Sequence, residues 1–240
     1  MYKFVAIDID GTLLRSNGEL SEKNKNIIKR VIDNGVRVVL TSGRATGSVK
    51  NIAKQLNVDR YMICDNGASI YDIKENQIVT AKYIDKDTVL HIVDTCIQNN
   101  IYYMVFTTKE IIVKDLKHMA LAFYKKRHNL NNEISGSSEI KYAGKDYIEQ
   151  VKEPFIRIVV CDQDRPVYNS IVNRLKKYDS IELMAPPHIS NKLINDGEKN
   201  ILISYSYAEL LPKNVNKWSA IETLIHQFHI KPNEVIAIRR

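Results

Sequence analysis

Short apolar runs alternate with amphipathic segments over the first 65 residues of the chain. Phe4–Ile7 is apolar and is followed by an Asp-Gly turn, which predicts a buried strand. Ser21 precedes apolar residues at helical spacing, so we expect it to cap a helix. A strand, a helix and another strand are then predicted over Val36–Leu40, Thr46–Leu56 and Tyr61–Cys64. This alternation predicts parallel strands joined by right-handed crossovers.

From about Ile84 the pattern changes to that of a mixed α+β segment. Ile101–Thr107 and Ile111–Lys114 are close enough in the chain to form a hairpin, and Phe155–Cys161 is strongly β-forming. A helix is expected near Leu116–Arg127. The segment is therefore predicted to be an insert with its own, antiparallel sheet.

The α/β pattern returns near the end of the chain. Strands are predicted over 201–210 and over Val235–Ile238, and Asn216 is expected to cap the helix between them. The predicted fold is α/β, a doubly wound, Rossmann-like parallel core with an inserted α+β domain. The expected boundaries are 1–82 plus 191–240 for the core and 83–190 for the insert.

Composition narrows the class of protein. Of 240 residues, 44% are hydrophobic and 26% are charged, as in ordinary soluble proteins. No apolar stretch approaches the roughly 18 residues of a membrane span, and no signal peptide precedes Asp8. We therefore expect a cytoplasmic protein with no membrane partner. Cys64, Cys96 and Cys161 lack metal or disulfide spacing and are predicted to be buried thiols.

The net charge of +7 raises nucleic-acid binding as an alternative. The basic residues are spread along the chain, however, and Lys125–His128 is the only dense cluster. A solvated helix end accounts for such a cluster. We therefore expect no nucleic-acid partner, and the sequence contains no indication of the oligomeric state.

Two carboxylates follow the first predicted strand, in Asp8-Ile9-Asp10-Gly11-Thr12. Asp8 and Asp10 can converge on one hard cation, and Gly11 allows the backbone to turn sharply. The alternative is an Asp-Gly turn whose acids merely face solvent. Because chemistry in such sheets gathers beyond the carboxyl ends of the strands, the position favours a functional site.

Three further patterns support a functional site. Thr41-Ser42-Gly43-Arg44 offers a hydroxyl and backbone N–H groups before a helix, an arrangement that suits phosphate. Asp65-Asn66-Gly67 ends the third strand and is equally typical of an ordinary turn. Lys217 opens a late helix and can supply a fixed positive charge, although a lone lysine is usually solvated.

In this order and context the motifs resemble the haloacid dehalogenase superfamily, specifically its Cof-like branch with a type IIB cap. The residues that carry the resemblance are Asp8 to Leu14, Ser42-Gly43-Arg44, Asp65 to Ala68 and Leu211 to Lys217. The resemblance implies a magnesium-dependent phosphatase acting on small phosphorylated metabolites, such as sugar, flavin or pyridoxal phosphates. It also implies that the insert is a cap that closes over the site and selects the substrate.

The resemblance implies a role for each matching residue. Asp8 would be the nucleophile that forms an aspartyl phosphate, and Asp10 would protonate the leaving group and then activate water. The Asp8 carboxylate and the Asp10 backbone carbonyl would hold Mg²⁺. The binding residues implied are Ser42, Gly43 and Lys217 for the phosphoryl oxygens, and Arg44 and Asn66 at the entrance between cap and core.

The sequence departs from the family pattern at two places. Trp218 stands where the family usually has glycine, and a ring there is either harmless or crowds the phosphate site. After Val235–Ile238 the family continues into an acidic Gly-Asp-x-x-Asn-Asp motif, whereas this sequence reads Arg239-Arg240. We expect a truncated gene product, a frameshift or a shortened chain. The alternative function is a weak or inactive pseudoenzyme that binds phosphorylated ligands.

Overall fold

The structure, a computed structural model, describes residues 1–15, 18–115, 139–184, 188–195 and 200–239. The predicted helix over 116–127 and its basic cluster lie outside these ranges. The described chain divides into two units, one from the ranges within 1–82 and 215–239 and the other from those within 83–214. No helix of the described chain is long and apolar enough to cross a membrane.

The described ranges contain the following strands and helices, numbered in chain order. The strands are β1 Phe4–Asp8, β2 Arg37–Thr41, β3 Tyr61–Cys64, β4 Ser69–Asp72, β5 Gln77–Ala81, β6 Tyr102–Thr107, β7 Glu110–Val113, β8 Glu139–Tyr142, β9 Phe155–Asp162, β10 Ile181–Leu183, β11 His188–Asn195, β12 Asn200–Pro212 and β13 Val235–Ile238. The helices are α1 Glu22–Asp33, α2 Thr46–Gln55, α3 Lys86–Gln98, α4 Lys145–Gln150, α5 Arg165–Leu175 and α6 Lys217–Gln227.

The first unit is built on a six-stranded sheet in the order β13-β1-β2-β3-β4-β5. β13, β1, β2 and β3 are parallel neighbours, and β4 and β5 add an antiparallel hairpin. Apolar residues of α1 and α2, such as Ile28 and Ile52, pack on one face of the sheet, and residues of α6, such as Leu224, pack on the other. The predicted doubly wound α/β core is therefore confirmed.

Side-chain caps fix the starts of two helices in this unit. The hydroxyl of Ser21 accepts a hydrogen bond from the N–H of Asn24 at 3.2 Å at the start of α1. Asn216 caps α6 reciprocally with Ser219, whose N–H lies 2.9 Å from the Asn216 side-chain oxygen. Both caps were expected from the sequence, and each satisfies backbone N–H groups that the helix itself leaves unpaired.

The second unit contains a seven-stranded sheet in the order β10-β12-β9-β6-β7-β8, with β11 paired to β12. All of its neighbours are antiparallel except β7 and β8. Apolar residues of α3, α4 and α5 share one core with this sheet. This arrangement is the α+β insert that the sequence predicted.

The second expected boundary differs from the division in the structure. The sequence pattern predicts a return to the core at 191, whereas residues up to Asn214 group with the second unit. The reason is strand pairing, since β12 pairs with β9, with Ala208 opposite Val160, and β11 pairs with β12. The predicted strand over 201–210 is real, but it belongs to the second sheet.

Candidate active site

The carboxyl ends of β1, β2 and β3 carry most of the candidate residues. Because these strands are parallel neighbours, the loops that follow them start from the same edge of the sheet. Asp8 is the last residue of β1 and pairs in register with Thr41, directly before Ser42. Both Asp8 and Ser42 are buried. The sheet thus places the first two motifs side by side.

The chain leaves β1 through a wide turn, Ile9–Leu13, in which Asp10 and Gly11 have non-helical backbone angles, and a hydrogen bond from the N–H of Leu14 to the carbonyl of Ile9 at 3.1 Å closes it. Gly11 has φ +73 in this turn, and a Cβ there would meet nothing within 4 Å. The glycine is therefore needed for its backbone conformation and not for space. The turn brings the Thr12 hydroxyl to 3.4 Å from Asp8 Oδ2.

Lys217 forms an ion pair with Asp8. Its Nζ lies 2.5 Å from Asp8 Oδ1, and the two side chains are 21% and 9% exposed. The pair joins the first residue of α6 to the last residue of β1, across 209 positions of sequence. A lysine next to a mostly buried carboxylate offsets negative charge there, which an incoming phosphate requires.

Arg44 binds Asp10 through two hydrogen bonds. Its Nε and Nη2 donate to the two carboxylate oxygens at 2.9 and 2.6 Å, and its Nη1 donates to the Ser48 hydroxyl at 3.2 Å. A two-point contact of this kind fixes the orientation of a carboxylate as well as its position. The sequence had suggested only a place at the substrate entrance for Arg44.

The loop Ser42–Arg44 is tied to the turn after β3. The Ser42 hydroxyl accepts from the N–H of Arg44 at 3.1 Å. The N–H of Asn66 donates to the carbonyl of Ser42 at 2.9 Å. The Asn66 side chain lies against Gly43, because a Cβ at Gly43 would stand 2.7 Å from Asn66 Oδ1. Asn66 is 9% exposed, so it is a buried neighbour of the loop.

Cys64, at the end of β3, is a free and buried thiol, as are Cys96 and Cys161. Burial, and next the nearby carboxylate of Asp65, raise the pKa of the Cys64 thiol well above its usual range. A thiol that stays protonated is a poor nucleophile. Cys64 therefore does not compete with Asp8 for a nucleophilic role.

The ring of Trp218 is held away from the start of α6. Its Nε1–H donates to Glu222 Oε1 at 2.8 Å, one turn further along the helix, and the side chain is exposed. Of the two alternatives that the sequence left open, the harmless one fits this position. The pairing of Lys217 with Asp8 forms in the presence of this tryptophan.

The side chains and backbone at Asp8 and Asp10 offer only oxygen atoms as ligands for a metal ion. Asp8 and Asp10 offer carboxylates and a backbone carbonyl, which are the ligands that hard divalent cations prefer. In the described residues no group of three or more His, Cys, Asp and Glu side chains is placed to hold a metal. The oxygen chemistry fits such a cation, with water completing its coordination, as Mg²⁺ commonly retains.

Thr12 and Gly67 also make contacts in the site, and neither residue was assigned a role from the sequence. The Thr12 hydroxyl donates a hydrogen bond to Asp8. Gly67 packs against Asn216, because a Cβ built on Gly67 would stand 2.2 Å from the Asn216 carbonyl oxygen. Thr12 belongs to the first motif, where the sequence assigned it no role. The turn at Asp10-Gly11 folds the chain back and brings Thr12 to Asp8, and the Asp-Gly pair is the signal in the sequence that points to such a turn.

A family model of haloacid dehalogenase-like hydrolases matches residues 5–238. The match covers nearly the whole chain. The chain belongs to the haloacid dehalogenase-like hydrolases.

Several curated relatives are phosphatases. Phosphatase YwpJ of Bacillus subtilis is 27% identical over 255 residues, covering 98% of this chain and 82% of that protein. A putative phosphatase of Buchnera aphidicola subsp. Baizongia pistaciae is 34% identical over 125 residues, 52% of this chain and 46% of the relative. The latter alignment thus spans less than half of the relative. The enzyme class that the chain shares with them is phosphoric monoester hydrolase.

Solved structures share the fold. A haloacid dehalogenase-like hydrolase from B. subtilis superposes with a TM-score of 0.75 at 23% identity, covering 99% of this chain and 82% of that chain. A sugar phosphatase of haloacid dehalogenase subclass IIB superposes with a TM-score of 0.71 at 14% identity, covering 98% and 79%. At these identities the likeness concerns the fold. Phosphatases of the family generally use a divalent metal ion.

Proposed function

We propose that the chain hydrolyses phosphate monoesters of small metabolites through a covalent phosphoryl intermediate on Asp8. The observation that carries the proposal is the pairing of the buried Asp8 carboxylate with Lys217 Nζ at 2.5 Å, at the carboxyl end of β1. A carboxylate held there beside a fixed positive charge has what an anionic nucleophile needs to approach an anionic phosphate.

In the first step an oxygen of Asp8 attacks phosphorus, and the bond from phosphorus to the ester oxygen breaks. Asp10 donates a proton to the departing alkoxide, so that an alcohol leaves. Lys217 offsets the charge on the phosphoryl oxygens, and the proposed partners of the remaining oxygens are the Ser42 hydroxyl and the Gly43 N–H. Thr12 keeps the carboxylate oriented through its contact with Oδ2.

In the second step Asp10 removes a proton from water, whose oxygen attacks the phosphorus on Asp8. The bond from phosphorus to the Asp8 oxygen breaks, which releases phosphate and restores the carboxylate. Arg44 binds both carboxylate oxygens of Asp10. Its two-point contact also keeps the carboxylate in one orientation.

The metal in this proposal is Mg²⁺, held by the Asp8 carboxylate and the Asp10 backbone carbonyl. When bound, it supplies positive charge that reduces the repulsion between nucleophile and substrate. The family generally uses a divalent ion, and the oxygen donors of this site suit a hard one.

The proposed substrates are sugar phosphates or similar small phosphorylated metabolites. Two relatives carry specific names, since YwtE and YcsE of B. subtilis are both called 5-amino-6-(5-phospho-D-ribitylamino)uracil phosphatases. The α+β unit is proposed as the specificity cap. A cytoplasmic location, and the absence of nucleic-acid and membrane partners, remain predictions from the sequence.

The second candidate is a weak or inactive pseudoenzyme that binds phosphorylated ligands. The observation that favours it is that no third acidic side chain joins Asp8 and Asp10 within the described ranges. Turnover distinguishes the two functions, because a pseudoenzyme would bind phosphate esters without releasing inorganic phosphate.

Asp8→Asn tests the nucleophile. We expect loss of all Mg²⁺-dependent hydrolysis of p-nitrophenyl phosphate, because an amide cannot accept the phosphoryl group, measured by phosphate release. The midpoint of thermal unfolding should also fall, since Lys217 loses its counter-charge.

Asp72→Asn is the matched control, because Asp72 is a buried acid of the same sheet that pairs with Arg60 at 3.1 Å. Asp72→Asn should lower the midpoint of thermal unfolding and leave the hydrolysis of p-nitrophenyl phosphate unchanged. Turnover by Asp8→Asn above about a hundredth of wild type would point to another nucleophile.

A further inference from the structure

The turn Asp65–Gly67 holds three consecutive residues in the left-handed region of backbone space. Their φ values are +51, +56 and +103 for Asp65, Asn66 and Gly67. Left-handed backbone is unfavourable for L-residues, although Asp and Asn tolerate it better than most. Strain of this kind persists where the surrounding structure over-determines it, and it gathers at functional sites.

One side of the turn holds the loop Ser42–Arg44. The N–H of Asp65 donates to the carbonyl of Arg44 at 3.0 Å, and the N–H of Asn66 donates to that of Ser42 at 2.9 Å. The Asn66 side chain fills the space beside Gly43, as its three nearest atoms lie 2.7 to 3.1 Å from a Cβ built there. The loop and the turn therefore fix each other.

The other side of the turn holds the start of α6. A Cβ built on Gly67 would stand 2.2 Å from the Asn216 carbonyl oxygen and 3.0 Å from the Lys217 nitrogen. These atoms are backbone, so they cannot rotate away as a side chain would. Lys217 is the residue whose Nζ reaches Asp8. The close contact between the Gly67 backbone and the start of α6 thus fixes the position of the Lys217 backbone.

We propose that the turn Asp65–Gly67 is the positioning element of the active site, which holds the phosphate-binding loop Ser42–Gly43 and the Lys217 backbone in fixed places. The inference rests on the function proposed above and assigns Asn66 to positioning in place of substrate contact. Asn66 acts through Gly43, and Gly67 acts through Lys217. Charge placed about 1 Å away from its target costs on the order of 100-fold in rate, which makes such positioning consequential.

Gly67→Ala tests the contact with α6, and Gly35→Ala is its matched control. Gly35 also has a positive φ, +77, but a Cβ there meets nothing within 4 Å. Both variants carry the backbone cost, and only Gly67→Ala displaces α6. We expect kcat for p-nitrophenyl phosphate to fall about 100-fold in Gly67→Ala, and KM to change much less, because transition-state charge is misplaced. Gly35→Ala should keep the wild-type kcat.

Trp218 provides a readout that needs no turnover. It is the single tryptophan of the chain and directly follows Lys217. A shift in its emission maximum in Gly67→Ala, and none in Gly35→Ala, would show that the start of α6 has moved. Circular dichroism on the same samples confirms that both variants are folded.

Gly43→Ala and Asn66→Gly, alone and combined, test the contact between the turn Asp65–Gly67 and the loop Ser42–Arg44. Gly43→Ala forces its Cβ against the Asn66 side chain, and Asn66→Gly removes that side chain while still accepting the left-handed backbone. We expect the double variant to recover activity that Gly43→Ala loses, which is non-additive behaviour between contacting residues.

The positioning role would be overturned if the losses of activity in Gly43→Ala and Asn66→Gly were strictly additive in the double variant. It would also be overturned if Gly67→Ala and Gly35→Ala had equal kcat and equal Trp218 emission. If the wild-type chain released no phosphate while Gly67→Ala still shifted the Trp218 emission, the proposed function would fail. The placement of α6 by the turn would then stand.

Discussion

At the scale of single residues, two ion pairs define the candidate site, and they differ in exposure. The pair of Asp8 with Lys217 is mostly buried, whereas the Asp10 side chain is 58% exposed beside Arg44. Charge pairs are weakened by solvent, so the contact of Asp10 with Arg44 contributes more to orientation than to stability. The two contacts therefore require different tests.

Arg44→Lys separates an orienting role from a role at the substrate entrance. Lysine keeps the charge and loses the two-point contact with Asp10, so we expect kcat to fall roughly tenfold while KM stays close to wild type. The measurement is steady-state hydrolysis of p-nitrophenyl phosphate. Arg60→Lys is the control, since Arg60 pairs with Asp72 away from the catalytic residues. A raised KM with unchanged kcat would favour the entrance role that the sequence suggested.

At the level of secondary-structure elements, the start of α6 contributes both to stability and to the candidate site. The Asn216 cap stabilises the helix, and the next residue, Lys217, reaches Asp8. α1 has a comparable cap at Ser21 but carries none of the proposed catalytic residues. The two helices thus allow the stability contribution of a cap to be separated from a contribution to catalysis.

Asn216→Ala and Ser21→Ala form that comparison. Each should lower the free energy of unfolding by about 1 kcal/mol, because each removes a partner from the first turn of a helix. Only Asn216→Ala should also lower kcat, since fraying at α6 moves Lys217. Denaturant unfolding measures the stability, and initial rates measure kcat. Equal kcat in the two variants would show that the cap plays no part in placing the lysine.

The elements also show what the sequence could predict. β1, β2 and β9 were found because each is a short apolar run bounded by polar residues. The hairpin of β4 and β5 was missed, because Ser69–Asp72 is short and begins and ends with polar residues. The family resemblance assigned Lys217 to the phosphoryl oxygens, and its contact with Asp8, which joins positions 209 apart, was not predicted. Local patterns cannot show which distant residues meet.

At the scale of the whole molecule, the chain combines an α/β unit that carries the candidate residues with an α+β unit. The division at 214 in place of 190 follows from β12 pairing with β9. Sheet membership of this kind depends on long-range pairing, which the residues near 201–210 do not reveal by themselves. The parallel core, by contrast, followed from alternation along the first 65 residues.

Replacing the whole second unit tests its proposed role in specificity. A chimera that carries the corresponding unit of another family member, joined at 82 and 215, should change the preference among sugar phosphates. It should still hydrolyse p-nitrophenyl phosphate, because the proposed catalytic residues lie in the first unit. The measurement is a panel of kcat/KM values. Loss of generic activity in a folded chimera would mean that the exchanged unit supplies a catalytic group.

Acid quenching during turnover shows whether Asp8 receives the phosphoryl group. The chain is mixed with Mg²⁺ and a phosphate ester labelled in its phosphorus, quenched in acid and digested, and the labelled peptide is sequenced by mass spectrometry. We expect a labelled acyl phosphate on Asp8 that disappears in Asp8→Asn. Label on any other residue, or steady release of phosphate with no label retained on the chain, would contradict it.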